Sequence, residues 1–129
     1  MFIFNLGKVF VIKYVGKKDK MVNLKTHYKM VRSLSFIEDG TKILSSSDDY
    51  SVKLIDINSE TITHTFEGHK QAVPRVVAHP TDNKLAFSCS FDKTVKCWDL
   101  RMNNCIGTAV TGSPLWSCAV YGNHVAAGG

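Results

Sequence analysis

Slid along itself by 43 residues, this chain matches its own sequence without gaps, and a period of that size leaves few folds open to it. Arg32 falls on Arg75, Asp39 on Asp82, Ser45 on Ser88, Ser47 on Ser90, Asp49 on Asp92, Val52 on Val95, Lys53 on Lys96 and Asp56 on Asp99. The same offset backwards sets Val9, Val11 and Ile12 under Val52, Leu54 and Ile55. His27 and His69 are 42 apart, a one-residue slip that this alignment assigns to a loop ahead of the matched block, where length changes are tolerated.

Each copy reads as four strands. Val31 to Phe36 alternates, Glu38-Asp39-Gly40 makes a turn, Thr41 to Ser47 is a second strand, Asp48-Asp49 a turn, Ser51 to Ile55 a third strand and Thr61 to Phe66 a fourth. The next copy repeats this with Val73 to Ala78, a turn over Pro80-Thr81-Asp82-Asn83, Leu85 to Ser90, a turn at Phe91-Asp92, Thr94 to Trp98 and Asn104 to Val110. β-Branched and aromatic residues fill the runs, and Gly, Asn, Asp and Pro punctuate them. No stretch carries a helical period. Four strands in about 40–45 residues is the period of a propeller blade.

Gly68-His69, followed at the expected distance by Asp92-Lys93-Thr94-Val95-Lys96-Cys97-Trp98-Asp99, resembles the WD-repeat signature. The preceding copy is weaker, with Thr26-His27 for Gly-His and Ile55-Asp56 for Trp-Asp. The chain is thus similar to WD-repeat (beta-transducin-like) β-propeller proteins over nearly its whole length. Ser46-Ser47-Asp48-Asp49 and Phe66-Glu67-Gly68-His69 also make it similar to the WD subunit of the superkiller RNA-decay complex. The resemblance implies an all-β, partial propeller: two full four-stranded blades, 27–66 and 67–110, with the end of one blade in 1–26 and the start of another in 111–129. It also implies a hydrogen-bonded chain inside each blade. Its members would be His69, Ser88 or Ser90, Asp92 and Trp98, with His27, Ser45 or Ser47, and Asp49 in the earlier copy. Spacing supports this independently, because Ser88 and Ser90 share one strand face. Ile55 in place of Trp leaves the earlier chain one member short.

His69, Ser88 and Asp92 mimic a catalytic triad, but the repeat accounts for them and a buried network exposes no nucleophile. The sequence carries no phosphate-binding glycine loop, no metal-ligand cluster and no carboxylate pair set in a cleft, so neither enzymatic activity nor a cofactor is expected. Cys89, Cys97, Cys105 and Cys118 show no CxxC pair and no matching His pair, which argues against zinc. Without a secretion signal they read as reduced, partly buried thiols. The apolar start, Met1 to Leu6, is too short for a membrane span, and an intracellular protein, cytoplasmic or nuclear, is expected. A content of 44% hydrophobic and 21% charged residues rules against disorder. The net charge of +5 permits an acidic partner without requiring one. Lysines crowd the first quarter, where Lys17-Lys18-Asp19-Lys20 reads as a solvated loop before it reads as a phosphate-binding patch.

Propellers close with four to eight blades, so about three blades of material are expected to remain open. The chain is expected to be a piece of a larger propeller and, by itself, to self-associate through open blade edges. The resemblance implies a protein-interaction scaffold. Top-face candidates for partner contact are Tyr28, Lys29, Arg32, Asp48, Lys70, Gln71, Arg75 and Phe91. Trp98-Asp99-Leu100-Arg101 resembles the motif by which WD proteins serve as substrate receptors of cullin-4 ubiquitin ligases, with Arg101 on the bottom face. Nucleic acid is the third partner class, motivated by the basic first quarter and by Arg32 and Arg75.

Overall fold

A computed structural model describes residues 7–15, 18–37 and 40–129. These form twelve strands. β1 (Lys8–Val15) and β2 (Lys18–Lys25) make a two-stranded antiparallel sheet. β3 (Val31–Ile37), β4 (Lys42–Ser47), β5 (Val52–Asp56) and β6 (Thr61–Phe66) make a four-stranded meander in that order. β7 (Arg75–Ala78), β8 (Leu85–Cys89), β9 (Thr94–Asp99) and β10 (Asn104–Val110) make a second. β11 (Ser117–Tyr121) and β12 (His124–Gly128) pair with each other. The chain is all-β, with strand neighbours consecutive in sequence, as in propeller blades.

The core lies between the two four-stranded sheets. Leu44, Val52, Leu54 and Phe66 from the first meet Val73, Val76, Ala86, Trp98 and Leu100 from the second. Burying such a side chain contributes about 1.5–3 kcal/mol. The first strands β3, β7 and β11 pack against one another, whereas β10 is exposed along its whole length. At the first junction two serine hydroxyls complete the β7 edge. Val76 N–H donates to Ser33 Oγ at 3.4 Å and Ala78 N–H to Ser35 Oγ at 3.2 Å. At the second junction His79 Nε2 donates to the Gly122 carbonyl at 2.9 Å.

Strand pairing corrects the gapless alignment. Ser33 lies opposite Ser46, and Arg75 lies opposite Cys89, which is the 43-residue counterpart of Ser46. The 42-residue spacing of the two histidines therefore runs on through the first strand. The extra residue sits in the Pro80–Lys84 turn, not in the loop ahead of the block. Arg75 is the counterpart of Ser33 rather than of Arg32, and Arg32 is the bulged residue where the β3 register shifts. β7 also starts two residues later than the pattern suggested, because Pro74 has no N–H to give a ladder. Lys18 to Lys20, read as loop, begin β2 and pair with Lys13 to Val15. Lys17 and the Glu38-Asp39 part of the first turn lie outside the described residues.

Gly7, Tyr50 and Lys93 stand 43 apart and share a left-handed backbone, with φ of 79°, 75° and 72°. Each lies just ahead of a strand, β1, β5 or β9, so this backbone conformation repeats even where the residue type does not. At Gly7 a Cβ would meet the His27 carbonyl, which makes glycine obligatory there. Lys93 bears the αL strain instead. Lys93→Gly is expected to raise stability by about 1 kcal/mol, read as a higher urea midpoint at unchanged slope.

Candidate functional site

The four-residue turn between second and third strands organises each polar network. In the second sheet Ser90 Oγ donates to the Ala72 carbonyl at 2.8 Å and accepts the Asp92 N–H at 3.1 Å. This aims the Asp92 carboxylate back into the sheet. There it accepts four bonds: His69 Nδ1–H at 2.9 Å, Lys70 N–H at 3.0 Å, Thr94 N–H at 2.9 Å and Thr94 Oγ1–H at 2.6 Å. The other imidazole nitrogen, Nε2, accepts Ser88 Oγ–H at 2.7 Å, and Ser88 accepts the Trp98 Nε1–H at 2.8 Å. Every donor in this chain has an acceptor, as buried polar groups require. The first sheet repeats it with His27 bonded to Asp49 and Ser45, both at 2.8 Å, and stops at Ser45 because Ile55 has no N–H to offer.

The geometry separates the paired serines. Ser88 and Ser45 sit in the His chains, while Ser90 and Ser47 hold the turns. Thr94 and Ser51 were missed from the sequence. Both bond the turn aspartate at 2.6 Å, and their hydroxyls recur at the repeat spacing, a signal that was available. Among the described residues, Ser46 Oγ is buried without a hydrogen-bond partner.

Electrostatics follow from these contacts. Burial pushes the Asp92 carboxyl up, but the bonds from Thr94, Lys70 and His69 outweigh it and hold the group at about 2. Asp49 is likewise held at about 2, burial being overcome by His27 and Ser51. His69 is pushed below its ordinary value by burial, against the pull of Asp92, so the imidazole is neutral near pH 7. The His69–Asp92 contact is thus a neutral donor on a carboxylate rather than an ion pair. The Ser88 hydroxyl is fully buried. No group of three or more His, Cys, Asp or Glu positioned for a metal occurs among the described residues.

The surface candidates fall into separate places. Arg32 clamps Asp48 with two bonds, Nε to Oδ1 at 2.7 Å and Nη2 to Oδ2 at 2.8 Å. Arg75 is exposed and, among the described residues, forms no ion pair. Tyr28 is exposed under Lys53 Nζ, 5.9 Å from the ring centroid, and lines a cleft of about 220 Å³ with Tyr50, Thr65 and Glu67. Lys70 and Gln71 are exposed beside the Asp92 turn, and Lys29 sits over the Tyr50 ring. Phe91 meets Trp116 edge-on at 4.6 Å between centroids. Trp116, 61% exposed, was not among the sequence candidates. Arg101 bonds back to Asp99 through Nε at 3.0 Å and Nη2 at 2.8 Å. It lies at the other end of β9 from Phe91, with its side chain 62% exposed. These bonds and the Arg101 charge hold the Asp99 carboxyl at about 2. No helix among the described residues is long and apolar enough to cross a membrane.

Comparison with known proteins places two copies of the WD domain, G-beta repeat, on residues 18–56 and 60–99. A WD repeat-containing protein 89 homolog of Dictyostelium discoideum is 29% identical over 118 residues, covering 83% of this chain and 33% of that protein. The methylosome protein WDR77 of Xenopus laevis is 30% identical over 98 residues, covering 74% of this chain and 29% of its own length. The Set1 complex component swd2 of Schizosaccharomyces pombe is 35% identical over 71 residues, 55% of this chain and 20% of that protein. The chain spans a third or less of the length of these relatives.

Proposed function

The chain belongs to the WD domain, G-beta repeat family, and on that premise we propose that it works as a protein-interaction scaffold through the face carrying Phe91 and Trp116. On this reading 27–66 and 67–110 are blades, 1–26 and 111–129 supply parts of two others, and the His-Ser-Asp networks are internal braces. The observation that carries the contact surface is the exposed Trp116 held edge-on against Phe91. An indole fixed by a second ring offers large apolar area at little entropic cost, the character of a binding hot spot. Arg75, exposed at the start of β7 opposite Cys89, adds a guanidinium for a carboxylate of the partner. Relatives named as a methylosome protein and as a Set1 complex component support an assembly role inside the cell, nuclear or cytoplasmic. Self-association through β1–β2 and β11–β12 belongs to the same reading, since each sheet is two strands short of the four in its neighbours.

A second reading, a cullin-4 ligase substrate receptor, is favoured by the exposure and fixed posture of Arg101 at the opposite end of β9. Quantitative co-purification separates the two. Trp116→Ser, matched to wild type in thermal stability, is expected to lower recovery of specific protein partners about tenfold or more, and Arg101→Glu to leave them unchanged. Loss of an adaptor with Arg101→Glu alone would select the ligase reading. Partners untouched by Trp116→Ser and Phe91→Ala would remove this face from consideration. Recovery that collapses between about 50 and 200 mM salt would select nucleic acid, because phosphate contacts release counterions.

A further inference from the structure

We propose that Cys89 and Cys118 are an oxidisable dithiol that staples the β7–β10 sheet to the β11–β12 sheet, with a hydroperoxide as oxidant. Cys89 ends β8 and Cys118 is the second residue of β11, so the two come from different sheets. They share one buried cluster with Val95 and Leu115, packed against Val77. Their side chains meet in that cluster, and Arg75 lies directly opposite Cys89 in the ladder.

The repeat shows that packing alone does not demand this pair. Ser46 is the counterpart of Cys89. Val73 N–H donates to the Ser47 carbonyl as Leu115 N–H donates to the Ser90 carbonyl, which makes Val76 the counterpart of Cys118. The same slot at the first junction is thus filled by Ser46 and Val76, which cannot be cross-linked. Only the second junction carries sulfur on both sides.

The surroundings divide the work between the two sulfurs. Contact with Cys89 and the Arg75 charge hold Cys118 below the ordinary thiol value despite burial. Cys89 is raised by the same contact and by burial. Cys118 also keeps the residual exposure, 4% against 0% for Cys89. Cys118 is therefore the attacking thiolate and Cys89 the resolving thiol. The Cys118 thiolate attacks one peroxide oxygen, the O–O bond breaks, and the departing hydroxide takes a proton to leave as water. Cys118 is now a sulfenic acid. Cys89, losing its proton, attacks the Cys118 sulfur; the S–S bond forms, the S–O bond breaks, and the hydroxide leaves with that proton as a second water. Two thiols lose two electrons and two protons, and hydrogen peroxide becomes two waters. The bridge closes a loop that contains β9 and β10.

The test uses the full chain with Cys97 and Cys105 changed to serine, treated with stoichiometric hydrogen peroxide and read by thiol counting and peptide mass spectrometry. Expected are loss of both remaining thiols, a Cys89–Cys118 cross-linked peptide, and full reversal by dithiothreitol. Cys118→Val, which copies Val76 of the other junction, is expected to abolish the reaction of Cys89. Cys89→Ser is expected to leave Cys118 trapped as a sulfenic acid that dimedone labels. Thiols that react in urea but not in the folded chain would overturn the proposal. So would a reduced 89–118 pair beside a Cys97–Cys105 bridge in the unmodified chain, or a bridge formed between two chains. None of these outcomes bears on the scaffold reading.

Discussion

Trp98→Ala is expected to remove about 3–5 kcal/mol of stability, which for a chain of this size threatens folding altogether. Trp98 is 1% exposed. Its ring packs on Phe66 at 5.5 Å and on His69 at 6.0 Å between centroids, and so bridges the two four-stranded sheets. It also supplies the terminal N–H of the polar chain. Trp98→Phe separates these roles. Phenylalanine keeps much of the contact but leaves one Ser88 lone pair unfilled, for an expected loss of about 1–2 kcal/mol. The first sheet already runs without the indole, since buried Ile55 occupies that position. Urea unfolding should therefore rank wild type above Trp98→Phe above Trp98→Ala. Equal losses for the two variants would mean that the hydrogen bond, not the packing, dominates.

Stability should fall with acid in two stages, and Asp92→Ala should cost about 3 kcal/mol at neutral pH. The variant strips His69 Nδ1–H and the two Thr94 donors of their acceptor, at about 1–3 kcal/mol for each buried group left unpaired, while Lys70 N–H can turn to water. The pH argument starts with His69. Burial lowers its value in the fold, so below the unfolded value of about 6.5 the unfolded chain binds a proton that the fold refuses. Its contribution is complete above that pH and erodes below it. Asp49 and Asp92 sit at about 2 in the fold, against about 3.9 when unfolded. Their contribution is complete above pH 4 and is lost as pH falls toward 2. Urea midpoints should decline gently from about pH 6.5 and steeply from about pH 4, and Asp92→Asn should flatten the steep limb. A midpoint unchanged between pH 7 and pH 5 would contradict the His69 assignment.

Most of the local architecture was legible in the residues. Alternation and turn residues locate the strands, and a period in the forties locates the two four-stranded sheets. The His, Ser and Asp positions of the two polar networks came with the resemblance to WD repeats, supported by the shared strand face of Ser88 and Ser90. The choice between Ser88 and Ser90 was not legible, because both point to the same face and only the position of the His69 ring separates them. The equation of Arg32 with Arg75 failed for a related reason. A gapless match cannot place an inserted residue, whereas strand pairing does: the extra residue lies in the Pro80–Lys84 turn, so the first strands run at an offset of 42 and Arg75 matches Ser33.

By itself, the sequence determined the all-β class and the four-strand repeat. Each of these depends on side-chain alternation or on spacing within one stretch of chain. Tertiary structure decided which serine joins each network, that Arg32 is held by Asp48 while Arg75 is not, that Phe91 meets Trp116, and that Cys89 meets Cys118. Those contacts join turns and sheets distant along the chain, and their partners are chosen by strand register and sheet-on-sheet packing, which no local pattern encodes.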